Sequence, residues 1–481
     1  MEKSRFKEYG LDNDIVKAIE SLNYKQPTAV QEQVIPTLLL QKDIIVKSQT
    51  GSGKTASFAI PICHLVDWME NKPQALVLVP TRELAIQVKE DVFHIGRLKR
   101  IKVAAVYGRA PFSNQERELK QKTHVVVGTP GRIMDHLEKK SLDTSNIKYL
   151  IIDEADKMLS MGFLEQIETI IKSITNVHVS VILSATLPKD IETLCSKYLT
   201  DAAFIEIEEE DKAIDRIHQE LYLVEEREKP SLLRDMTIID NPDSCIIFCN
   251  TKQSVDDVYM DLIRKQYQCE KIHGGMEQKD RLKVMNAFRE GKFRYLIATD
   301  IAARGIDIDE ISLVINYDIP RDRENYVHRI GRTGRAGKTG RAISFATYRE
   351  QRYVKEIEEY IGKEIPRSSR PDADLIHTAM QDFTDKMNTK PERKELKGKE
   401  LNKDIKKLHI NAGKKDKMRP VDIVGTICRI DGITSDDIGV IHIDDIASFV
   451  EILNGKGTNV LKELQKRPMK GKIRKVNKAK N

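Results

Sequence analysis

The sequence of 481 residues lacks long apolar runs and has only six scattered cysteines. No segment approaches the roughly 18 consecutive apolar residues that a membrane helix needs. The N-terminal segment Met-Glu-Lys-Ser-Arg-Phe-Lys-Glu has no hydrophobic stretch of the kind found in secretory signals. The cysteine spacing does not fit a zinc site, and reduced thiols in the cytoplasm fit best. We therefore expect a cytoplasmic protein of about three domains.

The charge is unevenly distributed along the chain. From Lys390 onward there are 23 Lys and Arg residues against 13 Asp and Glu residues, a net charge of +10, whereas the first 389 residues carry −4. A nearly neutral body with a basic tail indicates a polyanionic partner that the tail recruits. A tail that only solubilises the chain is the alternative.

Short apolar runs rich in Val and Ile end abruptly in small or polar residues. They lie at 76–80, 125–128, 150–153, 181–184, 246–249, 296–299 and 313–316. Runs this short, separated by helix-like stretches, predict buried parallel strands. Ligand-binding residues in such sheets lie at the carboxyl ends of strands, and each run leads into one of the motifs described below.

The strand pattern predicts the domain organisation. The runs fall on either side of the acidic segment 206–211, which predicts an α/β fold of two parallel-sheet lobes, 1–207 and 216–366, with a connector at 208–215. The polar, charged residues 367–403 predict a solvated linker with one helix. Residues 404–481 predict a small ferredoxin-like α+β domain of the order βαββαβ, the architecture of RNA-recognition (RRM-like) modules, with its last strand at 472–476.

A phosphate-binding loop follows the apolar strand at 44–46. Its sequence is Ser48-Gln-Thr-Gly-Ser-Gly-Lys54-Thr55, with Ser48 where the strict pattern has glycine. Its glycines let backbone N–H groups surround phosphate oxygens, and the helix N-terminus adds partial positive charge. Lys54 is predicted to bind the β- and γ-phosphates, and Thr55 to ligate Mg²⁺. The other loop residues expected at the phosphates are Thr50, Gly51, Ser52 and Gly53.

Charged residues elsewhere complete the predicted catalytic set. Asp153 ends an apolar strand, where a carboxylate is costly unless it meets a cation. We expect Asp153 to hold Mg²⁺ through coordinated water and Glu154 to activate the attacking water. Arg332 and Arg335 of the second lobe are expected to stabilise charge on the transferring γ-phosphoryl group. Hydrolysis should therefore require closure of the two lobes.

In this order, the motifs resemble those of DEAD-box RNA helicases over residues 1–350. The segment Pro27-Thr-Ala-Val-Gln31 is similar to the family's adenine-reading motif. The resemblance implies that Gln31 hydrogen-bonds the adenine edge, that Tyr24 stacks on the base, and that Phe6 is the upstream aromatic. The family's usual glycine before Tyr24 is Asn23 here. The resemblance also implies two tandem RecA-like lobes, ATP and Mg²⁺ as cofactors, and RNA as partner.

The same resemblance implies the remaining site residues. Asp307 is expected at the ribose, and His328 is expected to begin the arginine motif and bridge to the first lobe. Ser184 and Thr186 are expected to couple the ATP state to unwinding. RNA contacts are expected from Arg82, Gly108, Thr129, Arg132, Thr251, Gln278, Arg281 and Thr299. Such residues can hydrogen-bond phosphate oxygens and sugar hydroxyls. Contacts of this kind position an RNA strand without recognising its bases. The family's usual pair of glycines is Gly108-Arg109 here.

Two segments of the C-terminal domain, 416–426 and 448–457, resemble the DbpA-type branch of the family. This resemblance implies tethering to a hairpin of large-subunit ribosomal RNA and a role in large-subunit assembly. Phe449 is the only ring in the predicted strands besides His409 and His442. We therefore expect RNA to be bound by loops, helix surfaces and the basic segment 466–475. Packing of Phe449 and His409 on an ordinary sheet is the alternative.

Two other functions stay open at this point. One is an RNA-binding clamp that is timed by ATP but does not unwind its RNA. The other is a DNA helicase.

Overall fold

The computed structural model describes residues 5–48, 52–176, 178–207, 216–300, 311–334, 339–389, 391 and 403–479. The chain forms two compact units, one of residues 1–207 with 397–481 and one of residues 208–396. Among the helices in these described ranges, none is long and apolar enough to cross a membrane.

The first lobe is built on a parallel sheet of seven strands in the order β3-β4-β2-β5-β6-β1-β7. These are β1 (Ile44–Lys47), β2 (Ala75–Leu78), β3 (Val103–Val106), β4 (Val125–Gly128), β5 (Tyr149–Ile152), β6 (Val179–Ser184) and β7 (Ala203–Glu206). The α-helices are Asn13–Ser21, Ala29–Leu39, Lys54–Leu65, Arg82–Gly96, Phe112–Leu119, Pro130–Glu138, Ala155–Ser160, Leu164–Ser173 and Lys189–Tyr198, and Arg5–Tyr9 is a 3₁₀-helix. Apolar clusters cover both faces of the sheet, which explains why its central strands are continuously apolar rather than alternating.

The second lobe is a parallel sheet of six strands in the order β10-β11-β9-β12-β13-β8. These are β8 (Ile217–Leu223), β9 (Cys245–Cys249), β10 (Cys269–Ile272), β11 (Tyr295–Thr299), β12 (Leu313–Asn316) and β13 (Gly340–Ala346). Its α-helices are Lys229–Asp240, Lys252–Arg264, Gln278–Arg289, Arg323–Ile330, Gln351–Ile361 and Ala373–Asn388, with 3₁₀ turns at Glu226–Glu228 and Tyr348–Glu350. The seven predicted apolar runs of the two lobes are confirmed as strands, and the expected connector 208–215 lies outside the described residues.

The expected linker 367–403 differs from the structure. The helix Ala373–Asn388 packs on the second lobe, where Phe383 is buried with its ring 5.4 Å from that of Tyr267. Lys386 also donates to the carbonyl of Asn241 at 2.6 Å. The second lobe therefore extends past the predicted boundary at 366. The sequence hid this because the helix has one narrow apolar stripe among charged residues.

The C-terminal domain has an antiparallel sheet in the order β15-β16-β14-β19, formed by β14 (Lys406–Ile410), β15 (Ile438–Ile443), β16 (Ser448–Ile452) and β19 (Val476–Lys478). The helices Pro420–Ile427 and Gly457–Leu464 cover one face, with 3₁₀ turns at Lys414–Asp416 and Ser435–Asp437. This order confirms the ferredoxin-like βαββαβ prediction.

The position of the last strand was predicted wrongly. Residues 472–473 belong to a separate hairpin of β17 (Pro468–Met469) and β18 (Lys472–Ile473). Lys470 and Gly471 both have positive φ, +51° and +73°, as a two-residue hairpin turn requires. This turn diverts residues 472–473 from the main sheet, and β19 takes the edge beside β14 instead.

One buried arginine joins three strand ends of the second lobe. Arg329 is 1% exposed, and its Nε and Nη2 donate to the carboxylate of Asp300 at 2.5 and 2.7 Å. It also donates to Asn250 Oδ1 at 2.9 Å and to the carbonyl of Asp318 at 2.6 Å. These three partners follow β11, β9 and β12. Burial of the charge is tolerated because the guanidinium is hydrogen-bonded on several sides.

We expect Arg329→Ala to destabilise the second lobe by about 3–5 kcal/mol, because it leaves Asp300 without its buried partner. Urea unfolding of the full chain measures the change. Arg349→Ala, at an exposed arginine of the same lobe, is the matched control and should change stability by less than about 0.5 kcal/mol. Equal effects of the two variants would contradict the structural role of Arg329.

Candidate nucleotide site and RNA-binding surface

The phosphate loop joins β1 to the helix Lys54–Leu65. Lys54 is buried and its Nζ donates to the carbonyl of Ser48 at 2.6 Å. Ser48, where the strict pattern has glycine, donates its hydroxyl to Ser52 at 2.7 Å. Gly53 has a φ of +91°, and a Cβ there would lie 2.6 Å from the Gln31 amide nitrogen. Only glycine fits this position. Thr50 and Gly51 lie outside the described residues.

A buried carboxylate and a buried ammonium dominate the electrostatics of the site. Burial raises the pKa of Asp153 to about 6, with the charge of Glu154 adding to the effect and that of Lys54 opposing it. Burial lowers the pKa of Lys54, and the charge of Asp153 opposes that shift. Each group therefore stabilises the charged form of the other against the cost of desolvation.

The oxygens near Asp153 fit a magnesium ion. Asp153 Oδ1 is buried and accepts no hydrogen bond from the described residues. A buried carboxylate oxygen without a donor is costly unless a cation or ordered water contacts it. Thr55 supplies a hydroxyl from the first turn of the helix Lys54–Leu65. Carboxylate, hydroxyl and water oxygens are the ligands that Mg²⁺ prefers. The predicted pair of Thr55 and Asp153 is chemically suitable.

Glu154 is held in an uncommon backbone conformation. Its φ is +56° and it lies at the N-cap of the helix Ala155–Ser160. Its side chain forms an ion pair with Lys157 at 2.7 Å, and both side chains are largely buried. Left-handed non-glycine residues cluster at functional sites, where surrounding contacts hold the strain. The conformation and the ion pair together orient the predicted general base.

The predicted adenine motif contacts the phosphate loop. Gln31 is buried, with Oε1 accepting from the Thr28 backbone at 3.1 Å and Nε2 donating to the Gly53 carbonyl at 3.2 Å. The Thr28 hydroxyl donates to the Ser52 carbonyl at 2.8 Å. The adenine contact of Gln31 stays a prediction, but its side chain links the motif to the predicted phosphate loop.

The two predicted aromatics contact each other. Phe6 is fully buried and lies edge-on to Tyr24, with ring centroids 6.5 Å apart. Phe6 therefore supports Tyr24 from the core, whereas Tyr24 is partly exposed. Asn23, which replaces the family's glycine, has a φ of +63°. Asn tolerates this conformation better than most residues, and the turn before Tyr24 is retained.

The predicted coupling residues are hydrogen-bonded to Asp156, two residues after Glu154. Asp156 Oδ2 accepts from the backbone N–H groups of Ala185 and Thr186 at 3.1 and 3.0 Å and from the Thr186 hydroxyl at 3.2 Å. The Ser184 hydroxyl accepts from the Asp156 backbone at 3.2 Å and donates to the Thr186 carbonyl at 2.6 Å. One carboxylate thus fixes the whole Ser-Ala-Thr segment.

The predicted RNA residues of the first lobe gather at the carboxyl ends of β2, β3 and β4, which are adjacent in the sheet. A Cβ on Gly108 would lie 3.5 Å from the Arg82 guanidinium. Thr129 begins the helix that carries Arg132, and Arg132 donates to the Ala110 carbonyl at 3.2 Å. Arg109, in place of the family's second glycine, has a φ of +59°. The glycine-like backbone is therefore preserved.

The second lobe repeats this arrangement at β10, β11 and β9, which are also adjacent. Thr299 ends β11, and Thr251 follows β9 and caps the next helix by accepting from Ser254 N at 3.0 Å. Gln278 and Arg281 lie in the first turn of the helix after β10, and both are largely buried. Parallel strands thus place these four side chains at one edge.

The arginine motif follows the helix Arg323–Ile330. His328 lies in its last turn, and Arg332, 8% exposed, lies just beyond its end. Asp307 and Arg335 lie outside the described residues. No role was predicted from the sequence for Arg329 or Asp156. For Arg329 a sequence pattern was present, because it shares the i, i+3, i+4 spacing of the buried Tyr326 and Ile330.

Comparisons with known families agree with three domains. Residues 28–194 match the DEAD/DEAH box helicase family, and residues 228–337 match the helicase conserved C-terminal domain. Residues 407–478 match the DbpA RNA binding domain. These three matched ranges lie in the two lobes and the C-terminal domain of the structure.

Curated relatives and solved structures extend this agreement. The chain is 55% identical over 476 residues to the ATP-dependent RNA helicase DbpA of Bacillus subtilis, covering 99% of both chains. It is 42% identical to the ATP-dependent RNA helicase CshA of Listeria monocytogenes, over 76% of this chain and 71% of the relative. S. cerevisiae Dbp5 bound to RNA and ADP BeF3 is similar with a TM-score of 0.71 and 31% identity, covering 79% of this chain and all of that chain.

We expect Asp156→Asn to weaken the link between the nucleotide site and the Ser-Ala-Thr segment. The variant replaces an acceptor oxygen that faces three donors, and charge-assisted hydrogen bonds contribute about 1.5–3 kcal/mol. The ATP hydrolysed per displaced RNA strand should rise by about tenfold or more, as measured by parallel ATPase and strand-displacement assays. Asp190→Asn, at an exposed carboxylate, is the control. A proportional fall of both activities in Asp156→Asn would argue against a coupling role.

Proposed function

This chain belongs to the DEAD-box family of ATP-dependent RNA helicases, and we propose that it unwinds short RNA duplexes locally while its C-terminal domain tethers it to large-subunit ribosomal RNA. Its place of action in this proposal is the assembly of the large ribosomal subunit in the cytoplasm. Six free cysteines support a reducing compartment.

One observation carries the unwinding proposal. In the first lobe, the predicted phosphate and magnesium residues follow β1 and β5, the predicted coupling residues lie at the end of β6, and the predicted RNA residues follow β2, β3 and β4. These sets therefore share one edge of one sheet. Two ligands that bind the same edge and both favour lobe closure strengthen each other's binding. ATP binding then strengthens the binding of one RNA strand, and phosphate release weakens that binding again.

The proposed chemistry uses residues of both lobes. Glu154 accepts a proton from water, whose oxygen attacks the γ-phosphorus, and the bond between that phosphorus and the ADP oxygen breaks. Lys54, Arg332 and Arg335 stabilise the charge on the transferred group. Mg²⁺, held by Thr55 and by Asp153 through water, supplies further neutralisation of phosphate charge when bound. His328 orients the arginine motif.

The proposed tether rests on the C-terminal domain. Residues 407–478 match a named RNA-binding domain, and the 55% identity to the DbpA relative extends over 99% of this chain, these residues included. The basic segment 466–475 contains the hairpin of β17 and β18 and the residues on either side of it. Its lysines Lys466, Lys470, Lys472 and Lys475 are exposed. Exposed lysines at a hairpin suit contacts with RNA phosphates.

We expect Lys54→Ala to lower RNA-stimulated ATP hydrolysis by at least about a hundredfold, because the variant removes a buried cation from the phosphates. Phosphate release measures the rate. Lys42→Ala is the matched control, since Lys42 is exposed and lies just before the amino end of β1, whereas Lys54 follows its carboxyl end. Substantial RNA-stimulated activity in Lys54→Ala would refute the site.

Two further measurements distinguish the alternative functions. Displacement of a short RNA strand separates a helicase from an ATP-timed clamp, which would bind RNA without displacing it. DNA and RNA of the same sequence separate an RNA helicase from a DNA helicase. Equal stimulation of ATP hydrolysis by the two nucleic acids would contradict the preference for RNA.

We expect the double variant Lys472→Ala/Lys475→Ala to weaken binding to large-subunit ribosomal RNA and to lower the slope of log K against log salt concentration by about two, one for each lost phosphate contact. Basal ATP hydrolysis should not change. Binding titrations at several salt concentrations give the slope. Lys462→Ala, at an exposed lysine of the same domain, is the control, and an unaltered slope in the double variant would exclude these lysines from the RNA contact.

A further inference from the structure

The sheet of the C-terminal domain has one covered face and one open face. The cross-strand pairs His409 with Phe449, His442 with Phe449, and Lys407 with Glu451 lie on the face opposite the helices. The Phe449 ring lies 5.2 Å from the His409 ring and 5.3 Å from Lys407 Nζ. On an exposed sheet face, a glutamate beside these groups would be solvated. Glu451 is instead 4% exposed.

An arginine of the first lobe buries Glu451. Arg97, directly after the helix Arg82–Gly96, donates from Nε and Nη2 to the two carboxylate oxygens of Glu451 at 3.1 and 2.9 Å. The two side chains are 8% and 6% exposed. A bidentate pair of this kind is geometrically specific. Removal of either partner would leave a buried charge unpaired.

Further contacts surround this ion pair. Arg100 donates to the carbonyl of Ser435 and lies over the ring of Trp68, 4.9 Å from its centroid. Gln121 contacts His442 with 3.5 Å between Nε2 atoms. The first-lobe side of the contact carries Arg97, Arg100 and Lys102, and the C-terminal side presents Glu451 and a backbone carbonyl. The opposite charges meet at the Arg97–Glu451 pair, whereas Lys407 on the same sheet face adds positive charge to the C-terminal side.

The contact lies at the amino edge of the first-lobe sheet. Arg97 and Arg100 precede β3, and Gln121 precedes β4. The predicted RNA residues Gly108 and Thr129 follow the carboxyl ends of the same two strands. Because the strands are parallel, the two edges face opposite ways, and a domain held at the amino edge leaves the carboxyl edge open to nucleotide and RNA.

We propose that the open sheet face of the C-terminal domain is an intramolecular docking surface for the amino edge of the first lobe, anchored by the Arg97–Glu451 ion pair. RNA recognition by this domain is therefore left to its other surfaces, including the basic hairpin, whose lysines stay exposed in the docked domain. In this arrangement the C-terminal domain is held in one position on the first lobe. Its sheet face contacts the first lobe and is not available to RNA.

The chain carries its own reporters for this docking. Trp68 is the single tryptophan and lies beside Arg100 at the contact. Cys428, in the C-terminal domain, is exposed, whereas the other five cysteines are buried. Energy transfer from Trp68 to a thiol-reactive acceptor on Cys428 of the full chain therefore measures docking without RNA or ATP.

The test is a charge-reversal cycle with Arg97→Glu, Glu451→Arg and the double variant. We expect each single reversal to lower the docking equilibrium constant by at least about a hundredfold and to abolish the transfer, and the double variant to restore it. Asp431→Arg, at an exposed carboxylate of the same domain, should retain the transfer. Unchanged transfer in the single variants, or no restoration in the double variant, would overturn the proposal.

Two further measurements distinguish a loss of docking from misfolding and from RNA binding by the sheet face. Arg97→Glu changes the first lobe only, so its loss of transfer does not arise from misfolding of the C-terminal domain, and circular dichroism of Glu451→Arg checks that domain. Affinity for purified large-subunit ribosomal RNA should stay within about twofold in Phe449→Ala, since a twofold change is below 0.5 kcal/mol. A loss like that of Lys472→Ala/Lys475→Ala would place RNA on the sheet face and refute the docking role, whereas failure of the ribosomal proposal alone would leave the energy transfer unaffected.

Discussion

Parallel strand direction is the constraint on which both lobes depend. Every strand of a parallel sheet ends at the same edge, and a residue that follows one strand lies near the residues that follow its neighbours. In the first lobe, the predicted nucleotide residues follow β1 and β5, the predicted coupling residues lie at the end of β6, and the predicted RNA residues follow β2, β3 and β4. The second lobe places the predicted RNA residues Thr251, Gln278 and Thr299 in the same way. Side chains far apart in the chain thus become parts of one surface, and the opposite edge is free for other contacts.

Backbone conformation explains the departures from the family pattern. Asn23 and Arg109 replace usual glycines, yet both have φ near +60°. The turns that the glycines would make are therefore retained at the cost of some strain. Glu154 has a similar conformation at the head of its helix. At these positions the surrounding structure, and not the residue's own preference, decides the backbone.

Charged side chains with little exposure connect separate segments of the chain through ion pairs and hydrogen bonds. Arg329 holds three strand ends of the second lobe, Asp156 holds the Ser-Ala-Thr segment, and Glu451 meets Arg97. Arg329 and Glu451 are buried and Asp156 is partly buried, and each has partners that neutralise it or hydrogen-bond to it. None of these three roles was predicted from the sequence, although Arg329 follows His328 in the arginine motif and Asp156 lies two residues after Glu154. A sequence motif identifies residues expected to bind a ligand. It does not identify the residues that position those ligand-binding residues.

Local patterns in the sequence predict eight strands of the two lobes, the phosphate loop, the carboxylates Asp153 and Glu154 and the βαββαβ order. Apolar runs and glycine-rich turns can be predicted in this way because they do not depend on distant partners. The strands β3, β7, β8, β10 and β13 were not predicted, and neither was the packing of the helix Ala373–Asn388, whose apolar stripe is narrow. The neighbours of each strand, the place of β19 at the sheet edge and the contact of Glu451 with Arg97, 354 residues away, are seen only in the folded chain. Such contacts depend on burial and geometry between distant segments, for which a local pattern carries no information.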